Sequence, residues 1–176
     1  MAANDGLKGA LVSIGVITTA ATIAKTIRKA GTDYLLAFKP NQPTLPSDIE
    51  CYFDDAPAKG LDSFNDVDKG HGRVEEHSVP VSQDTDWLSG DKRFPRELRL
   101  PEAKTIIRVR SRTDLKDRSR FDTHYYISSA NLTAERAARA VRGHWLVENV
   151  LQWTSTSSLR TISPDCEKAM AQTTWP

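Results

Sequence analysis

The first apolar run, Ala10-Leu-Val-Ser-Ile14, is short and β-branched, which suits a buried strand. Thr18 or Thr19 is placed to cap a following helix, in which Ala20, Ile23, Ala24 and Ile27 repeat at helical spacing and Gly31 supplies the stop. Tyr34-Leu-Leu-Ala-Phe38 predicts a second buried strand. Strand, helix and strand joined by short links predict a βαβ unit, with a right-handed crossover between parallel strands.

Pro40, Pro43 and Pro46 break this pattern, and Ser47 is a possible cap for a short helix through Phe53. The polar stretch 54–72 predicts a loop that turns at Gly70-His-Gly-Arg73 into a strand over Val74–Val81. Residues 82–103, with Pro95 and Pro101, predict irregular chain. From Lys104 to Arg112 the pattern alternates, with Ile107 and Val109 on one face and Arg108, Arg110 and Arg112 on the other. His124–Ser128 predicts a further strand.

The last periodic element is a helix from Thr133 to Trp153. Thr133 is a candidate N-cap, Glu135 lies where the helix dipole favours an acid, and Val141, Trp145 and Glu148 form one stripe. After Trp153 the chain becomes polar, without a clear period. The expected organisation is one mixed α/β (α+β) domain over 1–153, followed by an unpatterned tail over 154–176.

Composition changes this picture little. A net charge of +1 does not by itself announce a nucleic-acid partner. Its distribution says more: 33–91 is predominantly acidic, whereas 92–120 holds eleven lysines and arginines, from Lys92 to Arg120, against Glu97, Glu102, Asp114 and Asp117. Such a block is compatible with following a phosphate backbone, and equally with a solvated face that pairs with the acidic stretch. Cys51 and Cys166 follow no metal-ligand spacing. No apolar run is long enough to cross a bilayer and no signal segment opens the chain, so the expected compartment is the cytoplasm.

Glu148 is the acid of interest, because a carboxylate on an apolar stripe is costly unless it is paired, protonated or metal-bound. Its plainer reading is an edge position reaching water or Arg142. Around it, His144-Trp-Leu-Val-Glu-Asn149 and Trp153 resemble the segment bearing the last acid in the H-repeat-associated, ISAs-type insertion-sequence transposases. Lys8–Ile14, Ile23–Ile27, Asp33–Ala37, Lys39-Pro-Asn-Gln42, Gly70–Arg73, Tyr125–Ser129 and Asn131–Glu135 resemble further stretches of that family in the same order.

The resemblance implies an RNase H-like domain, with a β-rich insertion before the helix of the last acid. It also implies three carboxylates holding two Mg²⁺ or Mn²⁺ ions for DNA strand cleavage and transfer at insertion-sequence ends. Hard cations prefer carboxylate oxygens, and a metal pair stabilises both the attacking and the leaving oxygen at phosphorus. The family pattern places the first acid before residue 1. It places the second where this chain has Gly15, in Ser13-Ile-Gly-Val-Ile-Thr18. Only Glu148 remains of the set, so a transposase fragment without catalytic activity is expected. Arg142, His144, Trp145, Lys39, Asn41, Arg108, Arg110 and Arg112 are candidate DNA contacts, although the stripe position of Trp145 also fits a core residue.

The tail departs from the family as well. Read from the third base of the Trp153 codon, permissible codons give D-V-D-V-V-F-A-N-D-L-S-R-L-R-K-G-N-G-P-D-N-M-A, which resembles the family's own continuation. Asp165-Cys-Glu167 forces leucine and then arginine or a stop, while Met170-Ala forces glycine and Trp175-Pro forces alanine. A frameshift near codon 153 is therefore expected. The alternatives to an enzyme are a non-catalytic DNA-binding remnant and a decayed product without selected function.

Overall fold

A computed structural model describes residues 9–15, 20–38, 45–55, 61–70, 73–89 and 100–160, with side chains described at all of these except 20, 70, 73, 89 and 148–160. It is a mixed α/β structure: β1 (Leu11–Ile14), α1 (Ala20–Lys29), β2 (Asp33–Phe38), α2 (Leu45–Asp55), β3 (Asp62–Gly70), β4 (Arg73–Ser82), α3 (Asp86–Ser89), β5 (Thr105–Asp114), β6 (Ser119–Ser128) and α4 (Ala134–Arg160). The strands form one sheet in the order β1-β2-β6-β5-β4-β3. The chain divides into two compact units, Met1–Val141 and Arg142–Pro176, with the boundary inside α4. No helix among the described residues is long and apolar enough to cross a membrane.

The expected βαβ unit is present: β1 and β2 pair in parallel from Leu11↔Asp33 to Ile14↔Leu36. Gly31 ends α1 at φ 72, a left-handed conformation that costs glycine little. The Thr18/Thr19 cap, Pro40 and Pro43 lie outside the described residues. Every other strand contact is antiparallel, and residues directly opposite in an antiparallel pair share a face. One face carries Leu36, Ile127 and Ile106, which join Ala24 of α1 and Ile49 and Phe53 of α2 in a single buried cluster. Val81, Ile107, Val109 and Tyr126 are buried on the opposite face, and Ala134, Ala137, Ala138 and Val141 of α4 are buried as well.

Several boundaries differ from the sequence expectation. The loop expected over 54–72 contains β3, nine residues paired with β4. Phe64 and Val67 are its only apolar residues and stand three apart, so no two-residue alternation marks it. Outermost in the sheet, it forms through backbone pairing, and its charges suit an edge that must not recruit further strands. Helix α2 starts at Leu45, so Ser47 lies inside its first turn; Pro46 is tolerated there because first-turn N–H groups have no intrahelical acceptor. The irregular stretch 82–103 contains the single turn α3. Strand β6 begins at Ser119 rather than His124, in an exposed half whose apolar content is low. Helix α4 continues past Trp153 to Arg160, because serine and threonine weaken a helix only slightly and the next strong breaker is Pro164.

The segment Tyr125–Ser129 is the junction of the sheet. Ser128 and Ser129 are fully buried. The Ser128 hydroxyl donates to the Tyr34 carbonyl at 2.7 Å, and the Ser129 hydroxyl donates to Asp33 Oδ1 at 2.7 Å while accepting the Tyr34 N–H at 3.0 Å. These bonds satisfy polar groups where parallel and antiparallel pairing meet around β2.

Candidate functional site

The position expected to hold the second acid follows β1 directly: Gly15 lies at the carboxyl end of that strand, half-buried. It offers no side-chain oxygen. Among the described residues no group of three or more His, Cys, Asp or Glu side chains is placed to hold a metal ion. The part of the expected ligand set carried by Gly15 therefore does not fit a divalent cation. Glu148 lies on α4 within the second unit, and its side chain falls outside those described.

Along α4 the buried positions are Ala134, Ala137, Ala138, Val141 and His144, with Trp145 half-buried. The apolar stripe expected through Val141 and Trp145 thus takes in His144 too. Arg142 is exposed, as are Leu146 and Val147. Lys39 and Asn41 lie outside the described residues, as does Cys166; Cys51 is exposed and unbridged.

The three arginines of β5 share a face but not an environment. Arg108 is buried: its Nη1 donates to Asp54 Oδ1 at 2.7 Å and its guanidinium carbon lies 4.9 Å from the Phe53 ring centroid. Arg110, about half exposed, reaches the same Asp54 oxygen at 3.3 Å. Arg112, also about half exposed, donates from Nε to Asp114 Oδ1 at 3.0 Å and lies 5.8 Å from the Phe121 ring centroid. Alternation alone put all three on a polar face. The structure shows that α2 covers the first of them and leaves the other two accessible.

Sequence reasoning missed Phe121, which is 71% exposed, because the strand was expected to begin only at His124. The alternation Phe121, Thr123, Tyr125 was the available signal. Register places Phe121 opposite Arg112, and Arg112 opposite Glu76, which in turn faces Val67. The neighbouring row on this face runs Thr123, Arg110, Ser78, Asn65. Both rows line a cavity of about 550 Å³.

Comparison with known proteins decides the ancestry. Over 154 residues, 84% of its length, the chain is 36% identical to the protein named "H repeat-associated putative transposase YhhI" of Escherichia coli K12, and equally so to "Putative protein YbfL" of the same strain. It is 33% identical over 151 residues to "Putative transposase YncI" of Escherichia coli O157:H7. The chain belongs to the H-repeat-associated transposase family. Its match spans only 38–39% of the length of these family members. No protein-family model and no solved structure matches it. Within the family assignment, the motif Tyr125–Ser129 acquires a structural explanation, since its two serines close the sheet junction described above.

Proposed function

We propose that the chain is a catalytic-domain portion of a DNA transposase in which the RNase H-like core is kept but cutting is lost. The observation that carries this reading is Gly15 at the end of β1, where the family resemblance assigns a metal-binding aspartate. A parallel strand pair joined by a helix, with an antiparallel strand beside it, is compatible with that core. Mg²⁺ or Mn²⁺ in an intact site would supply charge neutralisation at the reacting phosphate. Here Gly15 supplies no carboxylate at the second expected position, and a ligand set lacking that acid does not hold a metal pair in place.

What this chain retains is a set of candidate DNA contacts: Arg110 and Arg112 on β5 in the first unit, Arg142 and the half-buried Trp145 on α4 in the second, and Lys39 and Asn41 from the sequence; His144 is buried. Phosphate contacts of this kind give affinity that falls with salt and reads sequence weakly. The test is a nicking assay on insertion-sequence end DNA with Mg²⁺ or Mn²⁺, alongside a salt titration of binding. Metal-dependent cleavage that vanishes in Glu148→Gln refutes the loss of cutting; absence of DNA binding at low salt refutes the retained contacts.

The codon constraints on the tail support a second reading, in which 154–176 is translated out of frame and the product is decaying. Sequencing the locus beyond codon 176 tests it. A shifted frame that stays open and continues the family pattern is the expected result, and an early stop in that frame refutes it.

A further inference from the structure

We infer that the open face formed by β3, β4, β5 and β6 is a stacking site for an unpaired base of single-stranded DNA, with Phe121 as its platform. The inference rests on the DNA-binding reading and adds a ligand chemistry to it. Phe121 leaves 71% of its surface exposed on a strand, where an aromatic ring of that size is normally covered, and Val67 in the same row is 54% exposed. Arg112 lies 5.8 Å from the ring centroid and completes a planar cationic neighbour.

The adjoining row supplies Thr123, Ser78 and Asn65, hydroxyl and amide groups able to meet the donors and acceptors of a base edge. A cavity of about 550 Å³ is in the range that accepts a nucleotide-sized ligand. Asp54 and Asp114 engage the two arginines, and Glu76 lies between Arg112 and Val67. Asp66 and Asp122 also line the cavity, so acids outnumber arginines at the site. Binding there depends on the ring more than on phosphate neutralisation, and this favours an unstacked base over the closed surface of a duplex.

The experiment compares a fluorescein-labelled oligothymidylate with a duplex of equal length, by anisotropy, using the full chain and its Phe121→Ala, Phe121→Trp and Arg112→Gln variants. Removal of so exposed a ring leaves the fold intact, which thermal unfolding checks. The expected result is a loss of about tenfold in single-strand affinity for Phe121→Ala. Phe121→Trp retains affinity, and duplex binding changes less than about twofold. Single-strand binding indifferent to Phe121, or equal losses on both DNAs, overturns the base site while leaving the DNA-binding reading standing. No binding of either DNA at low salt overturns both. A fall in self-association on Phe121→Ala, with both DNA affinities unchanged, assigns the face to a second copy of the chain and overturns the base site.

Discussion

Arg28 and Glu102, 74 residues apart in sequence, are joined by two hydrogen bonds, from Nε at 2.9 Å and Nη2 at 2.7 Å to one carboxylate oxygen. The same guanidinium reaches Asp33 Oδ1 at 2.5 Å and the Thr32 carbonyl at 3.1 Å, so it ties the end of α1 to the start of β2 and to the chain entering β5. Glu102 holds φ at 55, a left-handed conformation that costs a non-glycine residue about 1 kcal/mol. Its ion pair is half exposed and worth less than about 1 kcal/mol. Glu102→Gly is therefore expected to be close to neutral, because relief of the backbone offsets the lost pair. Arg28→Ala removes all three attachments and is expected to cost about 1–2 kcal/mol. Urea unfolding of both variants checks the difference, and equal losses contradict it.

Arg108 and its neighbours on β5 are expected to separate stability from binding. Arg108→Met keeps the packing over Phe53, removes a buried Nε that has no hydrogen-bond partner, and leaves Asp54 in contact with water, so stability changes by less than about 1 kcal/mol. Arg108→Ala empties the site and costs about 2 kcal/mol or more. Neither moves DNA affinity. Arg110→Gln and Arg112→Gln do the reverse, each lowering the slope of log affinity against log salt by about one. Thermal unfolding and anisotropy on the same preparations read both effects.

Asp62 closes the start of α4. Its Oδ2 accepts the Ala134 N–H at 2.7 Å, while the Thr133 hydroxyl accepts the Arg136 N–H at 3.4 Å. A carboxylate bonded to a helix N-terminus is expected to be worth about 1 kcal/mol, so Asp62→Ala should destabilise by that amount and Thr133→Ala by less. Hydrogen exchange at Ala134 should accelerate in Asp62→Ala. Unchanged exchange there argues against the cap.

Three groups set the pH behaviour. Burial pushes the Tyr34 phenol well above its ordinary value, and Tyr125 is raised for the same reason. The folded state favours the neutral phenols, so their contribution is complete below about pH 10 and is lost as pH rises beyond it. Ultraviolet titration is expected to show Tyr34 and Tyr125 ionising above the ordinary tyrosine range, with Tyr34 the higher. At the acid end, the Ser119 hydroxyl at 2.5 Å, and then Arg112, hold Asp114 below the usual carboxylate range. That contribution is present above about pH 4 and is lost as pH falls through the lowered folded value. Ser119→Ala should move the Asp114 titration upward, as followed by carboxyl-carbon NMR; an unmoved midpoint contradicts the assignment.

The elements legible in the sequence were those whose burial imposes a period. Ala24 and Ile27 on α1, the run Tyr34–Phe38, and Ile107 with Val109 on β5 all announce themselves because one face must leave water. Edge strand β3 did not, since backbone pairing with β4 requires no apolar alternation. The arginines of β5 were legible as a face but not as three environments, because the cover that α2 places on Arg108 is a tertiary fact. The strand expected over Val74–Val81 runs through a proline. The β4–β5 register is interrupted at Val79 and Pro80, where proline offers no N–H, yet the strand continues through Val81↔Ile107. Gly15 draws notice only through the resemblance, which expects a carboxylate there; a glycine after a strand leaves no local pattern of its own.

The position of β6 governs how the sheet comes into being during synthesis. It is the last strand among the described residues and the one that stands between β2 and β5, with Ser128 opposite both Leu35 and Thr105. Until residues 119–128 leave the ribosome, a parallel pair and a three-strand meander exist as separate halves, each showing a bare edge to the other and to any neighbouring chain. A chain that ends before residue 119 keeps both bare edges, whereas one that reaches residue 128 carries the strand that joins them.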